Sequence, residues 1–170
     1  SHGALIATHF AAHKPEGLKG MVLSAPYYRL AMTPPPLKIF GAKLVGTLIP
    51  AAKVSTGIRF DMLSRDVAWQ KETEADPLYG RNATPRFFTE HLKAQDQLQS
   101  MGSQVTTPLL MLTGGNDPIA STAAAKGFFD TIASTDKNYK EYPGMLHELV
   151  CEIGKEEVWA DISRWISAHR

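Results

Sequence analysis

Ser1-His2-Gly3-Ala4-Leu5-Ile6-Ala7-Thr8-His9-Phe10-Ala11-Ala12-His13 opens the chain, and Lys14-Pro15-Glu16-Gly17 ends the stretch. Alanine and leucine favour helix while Pro15 and Gly17 break it, so a helix is predicted to begin immediately after the serine. Ser-x-Gly running into a helix is the second half of the G-x-S-x-G elbow, a sharp strand-to-helix turn that lifts a serine hydroxyl above a sheet. The first half of that pattern, a strand ending in Gly-x, does not stand ahead of Ser1. A serine so placed acts as a nucleophile only with a base to take its proton and an acid to orient that base.

Candidates for both occur downstream, each just after a predicted strand. Gly20-Met21-Val22-Leu23-Ser24-Ala25-Pro26 and Thr107-Pro108-Leu109-Leu110-Met111-Leu112-Thr113 are short apolar runs closed by Pro or Gly, the pattern of strands buried on both faces of a parallel sheet. Asn138 to Tyr142 reads as a third strand. Arg86 to Ser100, with Phe87, Phe88, Leu92 and Leu98, and Ser121 to Ala133 read as helices. The last helix carries Val158, Trp159, Ile162, Trp165 and Ile166 as one stripe expected to face the sheet. Alternating helices and strands of this kind specify an α/β fold with a parallel sheet and flanking helices.

Asp117 follows the second strand in Gly114-Gly115-Asn116-Asp117-Pro118, and His147 follows the third in Tyr142-Pro143-Gly144-Met145-Leu146-His147-Glu148. Open α/β sheets place their sites at the carboxyl ends of strands, which makes Asp117 a candidate acid and His147 a candidate base. Asn-Asp-Pro after two glycines is also good turn chemistry, and a lone loop histidine also serves structural roles. What joins them is that Ser1, Asp117 and His147 fall on one edge of one sheet. Neutral His147 would accept the Ser1 proton and return it to the leaving alcohol, and Asp117 would hold the imidazole tautomer. The backbone N–H of His2, at the positive end of the first helix, is the expected oxyanion donor, and a second donor is expected from an earlier loop that the sequence does not contain.

Residues 28–85 interrupt the alternation and read as an insertion between strands. Its first helix places Leu37, Phe40, Leu44, Val45, Leu48 and Ile49 at helical spacing beside Lys38, Lys43 and Lys53. Such a face either packs on the core or rests on a lipid interface.

Composition excludes other classes. At 170 residues and 44% apolar content the chain can bury a core, and no run is long enough to span a bilayer. A formal charge of +1 without charged blocks gives nucleic acid no footprint. One cysteine, Cys151, and scattered histidines indicate neither a disulfide nor a metal, and Gly114-Gly115 lacks the third glycine of a dinucleotide fingerprint. Cys151 reads as a small buried residue, and Glu148 and Glu152 as a solvated face. A cytoplasmic protein is expected, with peripheral membrane contact through the insertion, no protein partner and no cofactor.

With Ser1-His2-Gly3, Lys19 to Pro26, Leu63-Ser64-Arg65-Asp66, Asp76-Pro77-Leu78, Leu112 to Asp117 and Tyr142 to Glu148 in view, the chain resembles the monoacylglycerol lipase and lysophospholipase group of α/β-hydrolases, also grouped with serine aminopeptidase-like hydrolases. The resemblance covers nearly the whole chain. It implies a catalytic triad on Ser1, Asp117 and His147, a core made of residues 1–27 and 86–170, and a helical cap at 28–85. It also implies hydrolysis of a monoacylglycerol or lysophospholipid ester without a cofactor. The opening strands of that group, its His-Gly oxyanion loop and the Gly-x before the serine have no counterpart in this sequence. The first strand should therefore present an unpaired edge, and aggregation or a non-native dimer is the expected fate of the isolated chain. An acyltransferase with the same three residues, or a lipid-binding module without turnover, would share these features. An N-terminal nucleophile enzyme would not, because its serine should begin a strand.

Overall fold

A computed structural model describes residues 1–32 and 36–169, apart from the side chains at positions 36, 38, 39, 42, 43 and 47. Thr33-Pro34-Pro35, which open the insertion, and the Lys38 and Lys43 side chains thus lie outside the described residues. The elements in order are α1 (His2–Ala12), β1 (Met21–Ser24), α2 (Pro36–Leu48), β2 (Val54–Ser55), α3 (Val67–Ala75), β3 (Asn82–Ala83), α4 (Pro85–Leu98), β4 (Leu109–Gly114), α5 (Thr122–Thr131), β5 (Lys137–Tyr142) and α6 (Lys155–Ala168). The architecture is α/β, a parallel sheet flanked by helices.

The main sheet runs β1-β4-β5, all parallel, with Met21 opposite Leu109 and Leu109 opposite Lys137. Central β4 is buried along all six residues, and the period of two along a strand sorts them between two cores. Leu109 and Met111 join Leu5, Leu23, Tyr28, Leu98 and Phe128 on the face covered by α1, α4 and α5. Leu110 and Leu112 join Tyr142, Met145, Leu149 and Val158 on the face covered by α6. Three layers result, and a fully buried leucine in either core contributes about 1.5–3 kcal/mol. Edge strand β5, by contrast, is largely polar and half-exposed.

Local chemistry sets the helix starts. Asp66 accepts from the Ala68 and Trp69 amides, Thr84 from Phe87 with Pro85 next in line, and Ser121 from Ala124. The helix α1 ends where Lys14 and Gly17 turn left-handed.

Three details differ from the sequence expectations. On α6 only Val158, Ile162 and Trp165 face the core, while Trp159 and Ile166 stay about half exposed, because a stripe five residues wide exceeds what one sheet face can cover. The buried face of α4 is His91, Gln95 and Leu98, not its phenylalanines, and Phe87 is exposed. The pair β2 and β3, two residues each, forms a small antiparallel ladder too short to leave a hydrophobic pattern.

Within the insertion segment α2 lies against α4, where Gly46 approaches the backbone of Pro85 and Arg86. Its apolar side chains Leu37, Phe40, Leu44 and Leu48 nevertheless stand exposed. Packing of that face on the core is therefore not what the structure shows.

Candidate active site

The loops after β4 and β5 are stitched together before any functional side chain is placed. Gly115 N–H donates to Tyr142 O (2.9 Å) and Asn116 N–H to Met145 O (3.0 Å). Beyond them the Asp117 carboxylate divides its two oxygens. Oδ1 accepts from the amides of Ile119 (2.8 Å) and Ala120 (3.0 Å), and Oδ2 accepts from His147 Nδ1 at 2.7 Å. Asp117 is thus a turn residue and the partner of His147 at once.

Both side chains are almost wholly buried, at 2% and 4% exposure. An ionised carboxylate only accepts, so His147 carries its proton on Nδ1 and its lone pair on Nε2. That Nε2 has no hydrogen-bond partner among the described residues.

Ser1 caps α1 at the carboxyl end of β1. Its backbone nitrogen donates to Ser24 O (2.8 Å), and its carbonyl accepts from the Ala4 and Tyr27 amides. Tyr27, next in the same corner, has its phenol pushed up to about 12 by burial, with Asp117 adding to it. No hydrogen bond joins Ser1 Oγ to His147 among the described residues: Asp117 and His147 are paired, and Ser1 stands at the same sheet end. The His2 N–H, at the first turn of α1, has no intrahelical acceptor and points its dipole into this corner.

The His2 side chain, given no role in the sequence reading, belongs to an aromatic cluster. Its Nδ1 lies 2.8 Å from His91 Nδ1, and His91 stacks on Tyr27 at 4.6 Å between centroids, with Phe87 against His2. Two imidazole Nδ1 atoms share a hydrogen bond only when one is a donor and the other a lone pair. His91 Nε2 is buried without a partner. Burial, and then the neighbouring His2, lower the His91 pKa from 6.5 to about 4. The unfolded chain therefore binds the extra proton first, and stability should fall as the pH drops from about 6.5 to about 4. Urea melts of His91→Phe across that range are expected to show a flatter pH dependence than the parent; an equal slope would remove His91 as the cause.

Glu152 corrects the reading of a solvated acidic face. It is fully buried, because it receives the backbone amides of Arg65, distant in sequence, and of Leu146. Cys151 is half-buried rather than enclosed, and burial, then Glu148, raise its thiol pKa. Among the described residues no group of three His, Cys, Asp or Glu side chains is placed to hold a metal ion.

The family model for serine aminopeptidase, S33, matches residues 1–154. The chain belongs to that family. Among S33 relatives, a monoacylglycerol lipase of Mycolicibacterium smegmatis is 29% identical over 99% of this chain, which spans 60% of that protein. The solved monoacylglycerol lipase of Paleococcus ferrophilus superposes with a TM-score of 0.91 at 23% identity, over 98% of this chain and 65% of that one. A soluble variant of Saccharomyces cerevisiae monoglyceride lipase, in complex with a substrate analogue, gives 0.85 at 22% identity, over 100% of this chain and 63% of that one. This S33 chain thus spans about three fifths of the length of these relatives. No helix among its described residues is long and apolar enough to cross a membrane.

Proposed function

We propose that this chain carries the nucleophile, base and acid of a serine hydrolase that cleaves carboxylic esters of lipids, of the monoacylglycerol or lysophospholipid class. The observation that carries the reading is the 2.7 Å bond from His147 Nδ1 to Asp117 Oδ2, which leaves the Nε2 lone pair without a hydrogen-bond partner among the described residues. Monoacylglycerol lipases among the relatives supply the substrate class.

In this mechanism Ser1 Oγ attacks the ester carbonyl carbon while its proton passes to His147 Nε2. The imidazolium is stabilised by Asp117, and the tetrahedral oxyanion by the His2 N–H, a donor of a kind worth about 10²–10³ in rate. Collapse breaks the C–O bond, the His147 proton goes to the departing glycerol or phosphoglycerol oxygen, and an acyl-serine remains. Water, deprotonated by the same nitrogen, then releases the fatty acid.

Residues 1–27 and 86–170 form the catalytic core in this reading and 28–85 a cap. The exposed side chains of Leu37, Phe40, Leu44 and Leu48 recur at three- and four-residue spacing along one side of α2, which supports contact of the cap with a lipid surface. The test is a fluorophosphonate probe read by mass spectrometry, with monooleoylglycerol in vesicles as substrate. One adduct on Ser1 and release of oleate are expected. A cooperatively folded chain that stays unlabelled overturns the proposal.

A further inference from the structure

We propose that Glu152 is a positioning residue for His147, its buried carboxylate tying the base-bearing loop to the segment Leu63–Asp66. The proposal rests on His147 being the base. Glu152 is 0% exposed, which for a carboxylate demands donors on both oxygens. They are present. Oε1 accepts from the Arg65 amide (2.9 Å) and the Ile153 amide (2.7 Å), with the Arg65 Nε at 3.3 Å supplying the countercharge, while the Ser64 hydroxyl, 3.4 Å away, gives its one proton to Cys151 O at 3.0 Å. Oε2 accepts from the Leu146 amide at 3.1 Å.

What this does to His147 follows from its two neighbours in the chain. The peptide N–H before it, on Leu146, is held by Glu152, and the one after it, on Glu148, donates to Leu63 O at 2.8 Å. His147 is thereby pinned on both sides to the same short segment, 63–66, through one carboxylate and one carbonyl. Asp117 fixes the ring's orientation, whereas Glu152 fixes where the backbone presents that ring. A buried charge shared by so many donors gives one loop position rather than a range, because each donor freed would be left unpaired in a site closed to water.

Glu152→Gln tests this with an isosteric side chain. Its carbonyl oxygen keeps the donors at the Oε1 side, and its NH₂ is left facing the Leu146 N–H, donor against donor. We expect kcat for ester hydrolysis to fall about 10²-fold with KM little changed, the effect of moving a reacting group by about 1 Å. The low-field proton resonance of His147 Nδ1–H should shift or broaden in the same variant while the thermal melt stays cooperative. Arg65→Met removes the countercharge, leaves every backbone donor in place and should move both readouts the same way by less. An unchanged resonance and kcat in folded E152Q, or a loss confined to KM, overturns the proposal. If E152Q does not fold, R65M carries the test, and unchanged readouts there overturn it equally. A parent chain without ester turnover or a Ser1 adduct would sink the hydrolase reading instead, whereas the resonance reports on Glu152 in either case.

Discussion

Asp117→Asn is expected to lower kcat by about 10⁴-fold while leaving the fold intact. The two effects separate because the two oxygens of Asp117 have separate partners. Asparagine keeps a carbonyl oxygen to accept from the Ile119 and Ala120 amides, so the turn after β4 survives. Its NH₂ then replaces Oδ2 and meets His147 Nδ1 as a second donor. The imidazole answers by moving its proton to Nε2, and the nitrogen that should accept the Ser1 proton no longer can. The measurement is steady-state hydrolysis of monooleoylglycerol beside a thermal melt. A variant with parental kcat would return Asp117 to the role of turn residue alone, and one that melts early would show that Asn does not reproduce the turn.

The second large effect is structural in origin. Gly114 ends β4 opposite Tyr142, and a Cβ built there would lie 2.6 Å from Met145 O and closer still to Leu146 O. Both are backbone carbonyls of the loop that leads into His147, so they cannot swing aside as a side-chain tip could. Gly114→Ala must therefore push that loop off the end of β4 or deform the strand. Overpacking of this kind costs about 1–3 kcal/mol or more, and displacing His147 from Asp117 by about 1 Å should cost on the order of 10²-fold in kcat as well. Thermal melts and kinetics on the same preparation check it. A G114A protein with parental melting and turnover would mean that the loop has slack that the geometry does not show.

Much of the scaffold is legible along the chain because it depends on local patterns. The apolar run Leu109 to Leu112 announces the central strand, Ser121 and Thr84 announce helix starts, and the site loops follow from where strands stop. What is not legible depends on donors brought from afar. Glu152 reads as a surface acid until Arg65, Ser64 and Leu146 converge on it. Leu63-Ser64-Arg65-Asp66 stands out as a motif in the sequence, but nothing in its order tells that it clamps another loop. The spacing of His91, Gln95 and Leu98 at i, i+4 and i+7 does hint at a buried face on α4, yet the neighbouring phenylalanines mask it. Exposed apolar residues on α2 defeat the pattern for the opposite reason, since hydrophobic periodicity tells which residues share a face and not what covers it.

The pairing of Asp117 with His147 also has a consequence for how the chain comes together. The two residues are only 30 apart in sequence and are joined by a single strand-helix-strand crossover, β4 to α5 to β5. Ser1 lies more than a hundred residues from either. Loop closure grows costlier by about 0.6 kcal/mol for each doubling of length, so the acid and base meet at the lower entropic cost, within contacts that this crossover makes for itself. In the proposed mechanism the proton-handling half of the site is a local assembly, and Ser1 is brought to the same sheet end only through the long-range pairing of β1 with β4.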